Sequence, residues 1–207
     1  MTYIVMDLEW NRALSRNQLA YVPFRLTGEI IQIGAAKVDN LANLNVVDTF
    51  NEIVKPIHYT KMHKEVTELT GITDEMIRGG RPFTDVCREF LEWCGDCFAF
   101  ISWSGNDIYM LEDNMEMHGM DSSVLPACYD VQVQFDDQIT HEGRDFALNY
   151  AIWKLNLMSE MSESHDALND VLNTIAVMRH IDMTDGLEYC EVGVWEEHKE
   201  DGAQEGN

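Results

Sequence analysis

The chain has 207 residues, 45% of them hydrophobic and 10% aromatic, enough for one sizeable core and short for several domains of ordinary size. No apolar run approaches the roughly 20 residues needed to cross a bilayer, and Met1 to Glu9 lacks the basic region, apolar core and small-residue cleavage site of a signal peptide. A soluble, cytoplasmic protein without a membrane partner or disulfides is expected. Fourteen Lys and Arg against 37 Asp and Glu leave a net charge of −23, which argues against broad electrostatic capture of a polyanion.

Tyr3 to Glu9 has the length and apolar content of a buried strand that ends in carboxylates, and a polar loop follows from Asn11 to Gly28. Glu29 to Val38 and Val46 to Val54 are β-branched-rich runs on either side of the turn-forming Asp39-Asn40, the pattern of a hairpin or meander beside the first strand. Two short helical pieces between His63 and Ile77 break at Gly71, and Gly79-Gly80 with Pro82 mark a loop. Phe83 to Trp93 carries Phe83, Val86, Phe90 and Leu91 at helical spacing. Phe98 to Trp103 is a short apolar strand, Ser104-Gly105-Asn106 a turn, and Asp107 to Met117 a helix with Ile108, Leu111 and Met115 along one side. Cys128 to Val133 reads as a last strand, Asp145 to Leu155 as a helix, and Ser164 to Ile181 as a long final helix carrying Leu168, Leu172, Ile175 and Val177. Three opening strands followed by alternating helices and strands predict a mixed-sheet α/β fold in a single domain. From Glu188 to Asn207 seven acidic residues face only Lys199, the composition of a solvated tail.

Among the five cysteines, Trp93-Cys94-Gly95-Asp96-Cys97 superficially resembles a redox pair. Such pairs open a helix, where the thiol pKa falls; here a helix ends at Cys94-Gly95, so packing is the expected role. With no second pair and no histidines at finger spacing, structural zinc is not expected. His58, His63, His118, His141, His180 and His198 have the context of structural or surface residues, and Met110, Met115, Met117 and Met120 that of core and helix-face filling.

Asp7 and Glu9 stand two apart on a predicted strand, so their side chains share one face and can approach one ion. Such pairs also occur on solvated edges, but two acids closing an apolar strand need partners to offset desolvation, and a divalent cation is the natural one. Asp107, after the Ser-Gly-Asn turn, reads equally as an N-cap. In Ser164-His165-Asp166-Ala167-Leu168-Asn169-Asp170 a histidine stands at a helix start with an acid five residues on. Ser162 or Ser164 is available as the cap, Asp166 as a partner for the helix dipole, and a surface role for His165 is open.

Taken in order, Asp7-x-Glu9, Asp107 and His165-x4-Asp170 resemble the DEDDh exonuclease superfamily, which has a ribonuclease H-like fold: a mixed sheet flanked by helices. Glu29-Ile30-Ile31-Gln32-Ile33-Gly34-Ala35 is similar to that family's second strand, Leu69-Thr70-Gly71-Ile72-Thr73 to its linking helix region, and His165 to Asp170 with Asn173-Thr174 to its last motif. The similarity spans positions 1–182, implying an exonuclease domain there and an acidic C-terminal tail over 183–207. Asp7-Leu8-Glu9-Trp10-Asn11 and the Trp103 to Asp107 turn most resemble the KapD-like and Eri-type branch, which includes RNA-trimming enzymes. Trp10 stands where a common form of the motif has Thr, so stacking on a terminal base and plain packing both remain open for it.

The resemblance implies a 3′→5′ exonuclease that hydrolyses phosphodiester bonds from the 3′ end of single-stranded nucleic acid, RNA slightly favoured over DNA, releasing nucleoside 5′-monophosphates. It implies Asp7, Glu9, Asp107 and Asp170 as ligands of two Mg²⁺ or Mn²⁺ ions, with Asp7 bridging both, Glu9 and Asp170 on the nucleophile-side ion and Asp107 helping the other. His165 is implied as the general base, a task suited to its near-neutral pKa. Phosphodiester hydrolysis needs a nucleophile made from water and stabilisation of a leaving oxygen, and hard cations in an oxygen cage answer both needs. Glu29 matches a family strand position and carries no assigned role. The rival readings are a DNA exonuclease with a proofreading role, a catalytically inert adaptor that binds nucleic acid or a partner, and an acidic metal-binding protein.

Overall fold

The computed structural model describes residues 1–15, 18, 26–158, 166–184 and 191. Ile4, Met6 and Leu8 alternate along β1 (Tyr3–Asn11) with Val5, Asp7 and Glu9, so one strand feeds two faces. It pairs antiparallel with β2 (Glu29–Val38), which pairs antiparallel with β3 (Val46–Lys55). On its other side β1 runs parallel to β5 (Ala99–Ser102), and β5 parallel to β6 (Cys128–Asp130). With the two-residue β4 (Arg81–Pro82) beside β3, the sheet order is β4-β3-β2-β1-β5-β6. The expected three-strand opening and mixed sheet are both present. Nearly every residue of β2 is buried, as a strand covered on both faces must be.

Two apolar layers sandwich the sheet. Ile4, Met6, Leu8 and Ile33 pack against α3 (Phe83–Cys94) and α4 (Asn106–Met117) through Val86, Phe90, Ile108 and Leu111. Val5, Ala36 and Ile101 pack on the opposite face against α6 (Leu148–Lys154) and α7 (Ala167–Met178) through Ile152, Val171 and Ile175. The short helices α1 (Lys64–Thr70) and α2 (Asp74–Gly79) break at Gly71, whose φ of 73° closes α1 in the left-handed region. Met110 and Met115 are core residues, and Cys94 sits at the C-terminal end of α3.

Several boundaries differ from expectation. The strand predicted over Cys128 to Val133 stops at Asp130, because that side chain accepts the Gln132 N–H at 2.7 Å and caps α5 (Val131–Phe135). The β-branched Val131 and Val133 mimic a strand, but the cap decides. α6 begins at Leu148 rather than Asp145, and β4 occupies part of the predicted loop. α7 starts at Ala167, with Asp166 as its cap accepting from the Asn169 N–H; Ser162 and Ser164 lie outside the described residues. Its buried arc runs through Ala167, Val171, Ile175 and Met178, while Leu172, among the apolar residues the helix carries, is 41% exposed. Met183 is buried against the second layer, and Glu191 forms an isolated antiparallel bridge with Tyr129. No helix among the described residues is long and apolar enough to cross a membrane.

Candidate active site

The site forms where parallel pairing ends. β5 covers β1 only over Tyr3 to Val5, so β1 continues past its neighbour and opens a crevice at the carboxyl ends of the parallel strands. Asp7 and Glu9 stand there on the face that α7 covers. A bulge between Glu9 and Trp10 re-aims the chain just after them.

α7 is held close to the sheet by two residues of β2. Gly34 has no side chain where one would force the backbone apart: a Cβ would sit 2.4 Å from the Ala167 carbonyl carbon and 2.5 Å from Leu168 N. The buried Gln32 donates to Asp166 Oδ2 at 2.6 Å and accepts from Ala167 N at 3.3 Å. Together they fix the start of the helix, and Asp170 follows one turn later. Carboxylate oxygens of Asp7, Glu9 and Asp170 consequently lie within 4.8 Å of one another.

Asp107 reaches the same cleft from the first turn of α4. It is not the N-cap, a position taken by Gly105; its buried carboxylate instead accepts the Leu8 N–H at 3.0 Å, beyond the reach of β5. The turn before it is anchored by Asp130, which accepts the Gly105 N–H at 3.1 Å. Asp107 thus stands beside the cluster of three rather than within it. His165 lies outside the described residues; Asp166, next in the chain, is the α7 cap.

The carboxylates are costly neighbours. Burial, reinforced by Asp170 and Asp107, pushes Glu9 up to about 8, and burial with the charges of Asp107 and Glu9 raises Asp7 well above the usual carboxylate range. Burial likewise pushes Asp107 up to about 7, against the opposing hydrogen bond from Leu8. Desolvated acids that repel one another and offer only oxygen donors fit a hard divalent cation.

The rest of the cleft is part apolar, part polar. Trp10, Val66, Leu69 and Trp103 line it, as do Thr70, Arg12 and Glu65. Trp10 also packs against the core, and a Cβ on Gly28 would meet its ring at 2.4 Å, so it serves both as packing and as cleft wall. The wall built by α1 is tied down by a pair that faces across β1 and β2, Asn11 and Glu29. Asn11 donates to the carbonyls of Tyr59 and Lys61 at 2.7 and 2.8 Å and accepts the His63 N–H at 2.9 Å. Glu29 accepts the backbone N–H groups of Ile57, His58 and Tyr59 at 2.5, 2.9 and 2.7 Å. Sequence reasoning left Glu29 without a role and overlooked Asn11, Gln32, Asp130 and Arg12. A buried Glu opening an apolar strand was the available signal for the first.

Residues 23–178 match the RNase T family model, an exonuclease family; the match begins after β1, so Asp7 and Glu9 take their place through the structure. Over 125 residues, 60% of this chain, the sequence is 30% identical to DNA polymerase III PolC-type of Streptococcus sanguinis. It is 29% identical over the same length to its counterpart in Streptococcus mutans. The chain spans about 8% of the length of these curated relatives. Among solved structures, the nuclease domain of 3′hExo, a DEDDh family member bound to rAMP, superimposes with a TM-score of 0.73 at 18% identity, covering 90% of this chain and 94% of that one. Escherichia coli exonuclease I in complex with a dT13 oligonucleotide gives 0.68 at 16% identity, covering 91% and 43%. These two likenesses are of fold.

Proposed function

The chain belongs to the RNase T exonuclease family, and from that premise we propose that it is a DEDDh-type 3′→5′ exonuclease that removes nucleotides from the 3′ end of single-stranded nucleic acid, releasing nucleoside 5′-monophosphates. The observation that carries this reading is the convergence of Asp7, Glu9 and Asp170 oxygens within 4.8 Å in a cleft that also holds Asp107. Asp7 would be shared between two Mg²⁺ or Mn²⁺ ions, Glu9 and Asp170 would serve one and Asp107 the other. When bound, such ions neutralise the carboxylates, polarise the scissile phosphate and stabilise charge on the leaving oxygen. The chain's own groups do the rest. His165, next to the α7 cap, takes the proton of the attacking water. The apolar walls Trp10 and Leu69 accept the terminal base, and the fixed α7 and α4 hold the acids in register for in-line attack.

RNA is the substrate we favour, supported by the likeness to 3′hExo, whose structure holds rAMP. The similarity to PolC-type polymerases favours a second reading, removal of misincorporated deoxynucleotides beside a polymerase. The inert adaptor is disfavoured because all four carboxylates are in place.

The test uses 5′-labelled single-stranded RNA and matched DNA with Mg²⁺, Mn²⁺ or EDTA, alongside Asp7→Ala and His165→Ala. Stepwise, metal-dependent shortening is expected, lowered at least about a hundredfold in each variant, and the faster substrate chooses between the two readings. A folded, metal-bound protein that shortens neither strand would leave the adaptor in its place.

A further inference from the structure

We propose that Arg12 grips a backbone phosphate of the incoming strand and that Glu65 holds its guanidinium in reserve until the strand arrives, an inference that rests on the exonuclease reading. Among the described residues Arg12 is the only Lys or Arg lining the cleft that contains Asp7, Glu9, Asp107 and Asp170. In a chain of net charge −23, long-range attraction works against a polyanion. Local cations at the cleft must then supply the grip, and beyond any bound metal ions the described residues of the cleft offer this one.

Its anchoring suits the task. Asn11, the preceding residue, is fully buried and tied by three hydrogen bonds to the 59–63 segment, so the Arg12 backbone is fixed while its side chain is 47% exposed. The guanidinium pairs with Glu65, which stands in the first turn of α1 and is 71% exposed. As a brace between β1 and α1 that pair adds little, since exposed ion pairs stabilise weakly and the Asn11 bonds already join the same two segments. As a stand-in it makes sense. A carboxylate offers a guanidinium fork the same two-oxygen face as the unesterified oxygens of a phosphodiester. A weakly held partner is also one a phosphate can displace. Glu65 therefore competes with substrate, and removing its charge should strengthen binding.

The probe is a short 5′-fluorescein oligonucleotide with phosphorothioate 3′ linkages, so binding is read by anisotropy apart from cleavage, with Mg²⁺ present and salt varied. Arg12→Ala is expected to weaken binding about tenfold and to flatten the log–log salt dependence by about 0.7, the signature of one lost contact to a single-stranded phosphate. Glu65→Gln is expected to bind about threefold tighter, and the double variant to behave like Arg12→Ala. Arg12→Gln provides the same comparison should the alanine variant fold poorly. Unchanged affinity and salt slope on losing Arg12, or Glu65→Gln weakening binding as much as Arg12→Ala does, would overturn the proposal. Cleavage of an unmodified strand by the parent protein separates the two claims: binding with this pattern but no shortening would sink the exonuclease reading and leave Arg12 its role.

Discussion

Glu9 and Asp107 carry a measurable consequence of crowding. Each holds its proton in the folded chain over a range in which the unfolded chain has lost it: from about 4.5 to about 8 for Glu9 and from 3.8 to about 7 for Asp107. Across that window the native state binds more protons, so the metal-free protein must lose stability as pH rises. Divalent ions reverse the trend, since they favour the ionised native site. At a hundredfold excess over its dissociation constant one bound ion stabilises by about 2.7 kcal/mol, roughly 5 to 10 °C in Tm for a chain of this size. Thermal melts at pH 5.5 and 8, with Mg²⁺ or EDTA, should show the larger gain at pH 8. Equal gains at both would mean the acids do not share a cation site. The same residues show what a sequence conveys. That Asp7 and Glu9 share one face was legible because strand alternation assigns it; that Asp170 belongs with them was implied only by the family resemblance, since a histidine and an acid at a helix start read equally as surface residues. Asp107 was legible as a member of the set but not in its bonding, since its acceptance of the Leu8 N–H depends on β5 ending early. Arg12 and Glu65 are 53 positions apart and meet only through the fold.

At the level of elements, the site depends on how closely α7 and α1 approach the sheet. Gly34→Ala would drive a methyl group into the Ala167 backbone, which has no flexible end to give way. A loss of about 1 to 3 kcal/mol is expected, and displacement of Asp170 should lower activity on the order of a hundredfold. Chemical denaturation and a cleavage assay on one preparation would check both; a stable, fully active variant would show that α7 can shift without disturbing Asp170. For α1, Asn11→Ala strands two carbonyls and an amide of the 59–63 segment, at a cost of about 3 kcal/mol read as a lower urea midpoint. An unchanged midpoint would show that water replaces all three bonds. Element types were readable from periodicity through most of the described chain, α3 and β2 above all. Reading failed where a side chain arbitrates between elements. Asp130 converts a β-branched run into α5, and in α7 Val171 is buried while Leu172 is exposed.

For the molecule as a whole, the charge of −23 constrains how a nuclease can work. At the cleft a strand is attracted only within about a Debye length, roughly 8 Å at physiological salt, of bound metal ions and, among the described residues, of Arg12. Upstream nucleotides, beyond that reach, meet a chain whose net charge repels them. The hold should therefore be short, and after each cleavage the shortened strand and the retreating product face the same repulsion. Distributive trimming follows, with dissociation between successive removals. Mixing protein and labelled strand, then adding excess unlabelled strand with Mg²⁺, distinguishes the modes. Distributive action predicts that shortening halts within one or a few nucleotides of the trap's addition and that, without the trap, all labelled strands shorten together. Raising salt from low to physiological should slow the reaction less than for a basic nuclease, because few phosphate contacts are lost to screening. Long digestion that continues through the trap would require a grip on upstream phosphates that the cleft, with Arg12 as its single lining cation among the described residues, does not contain.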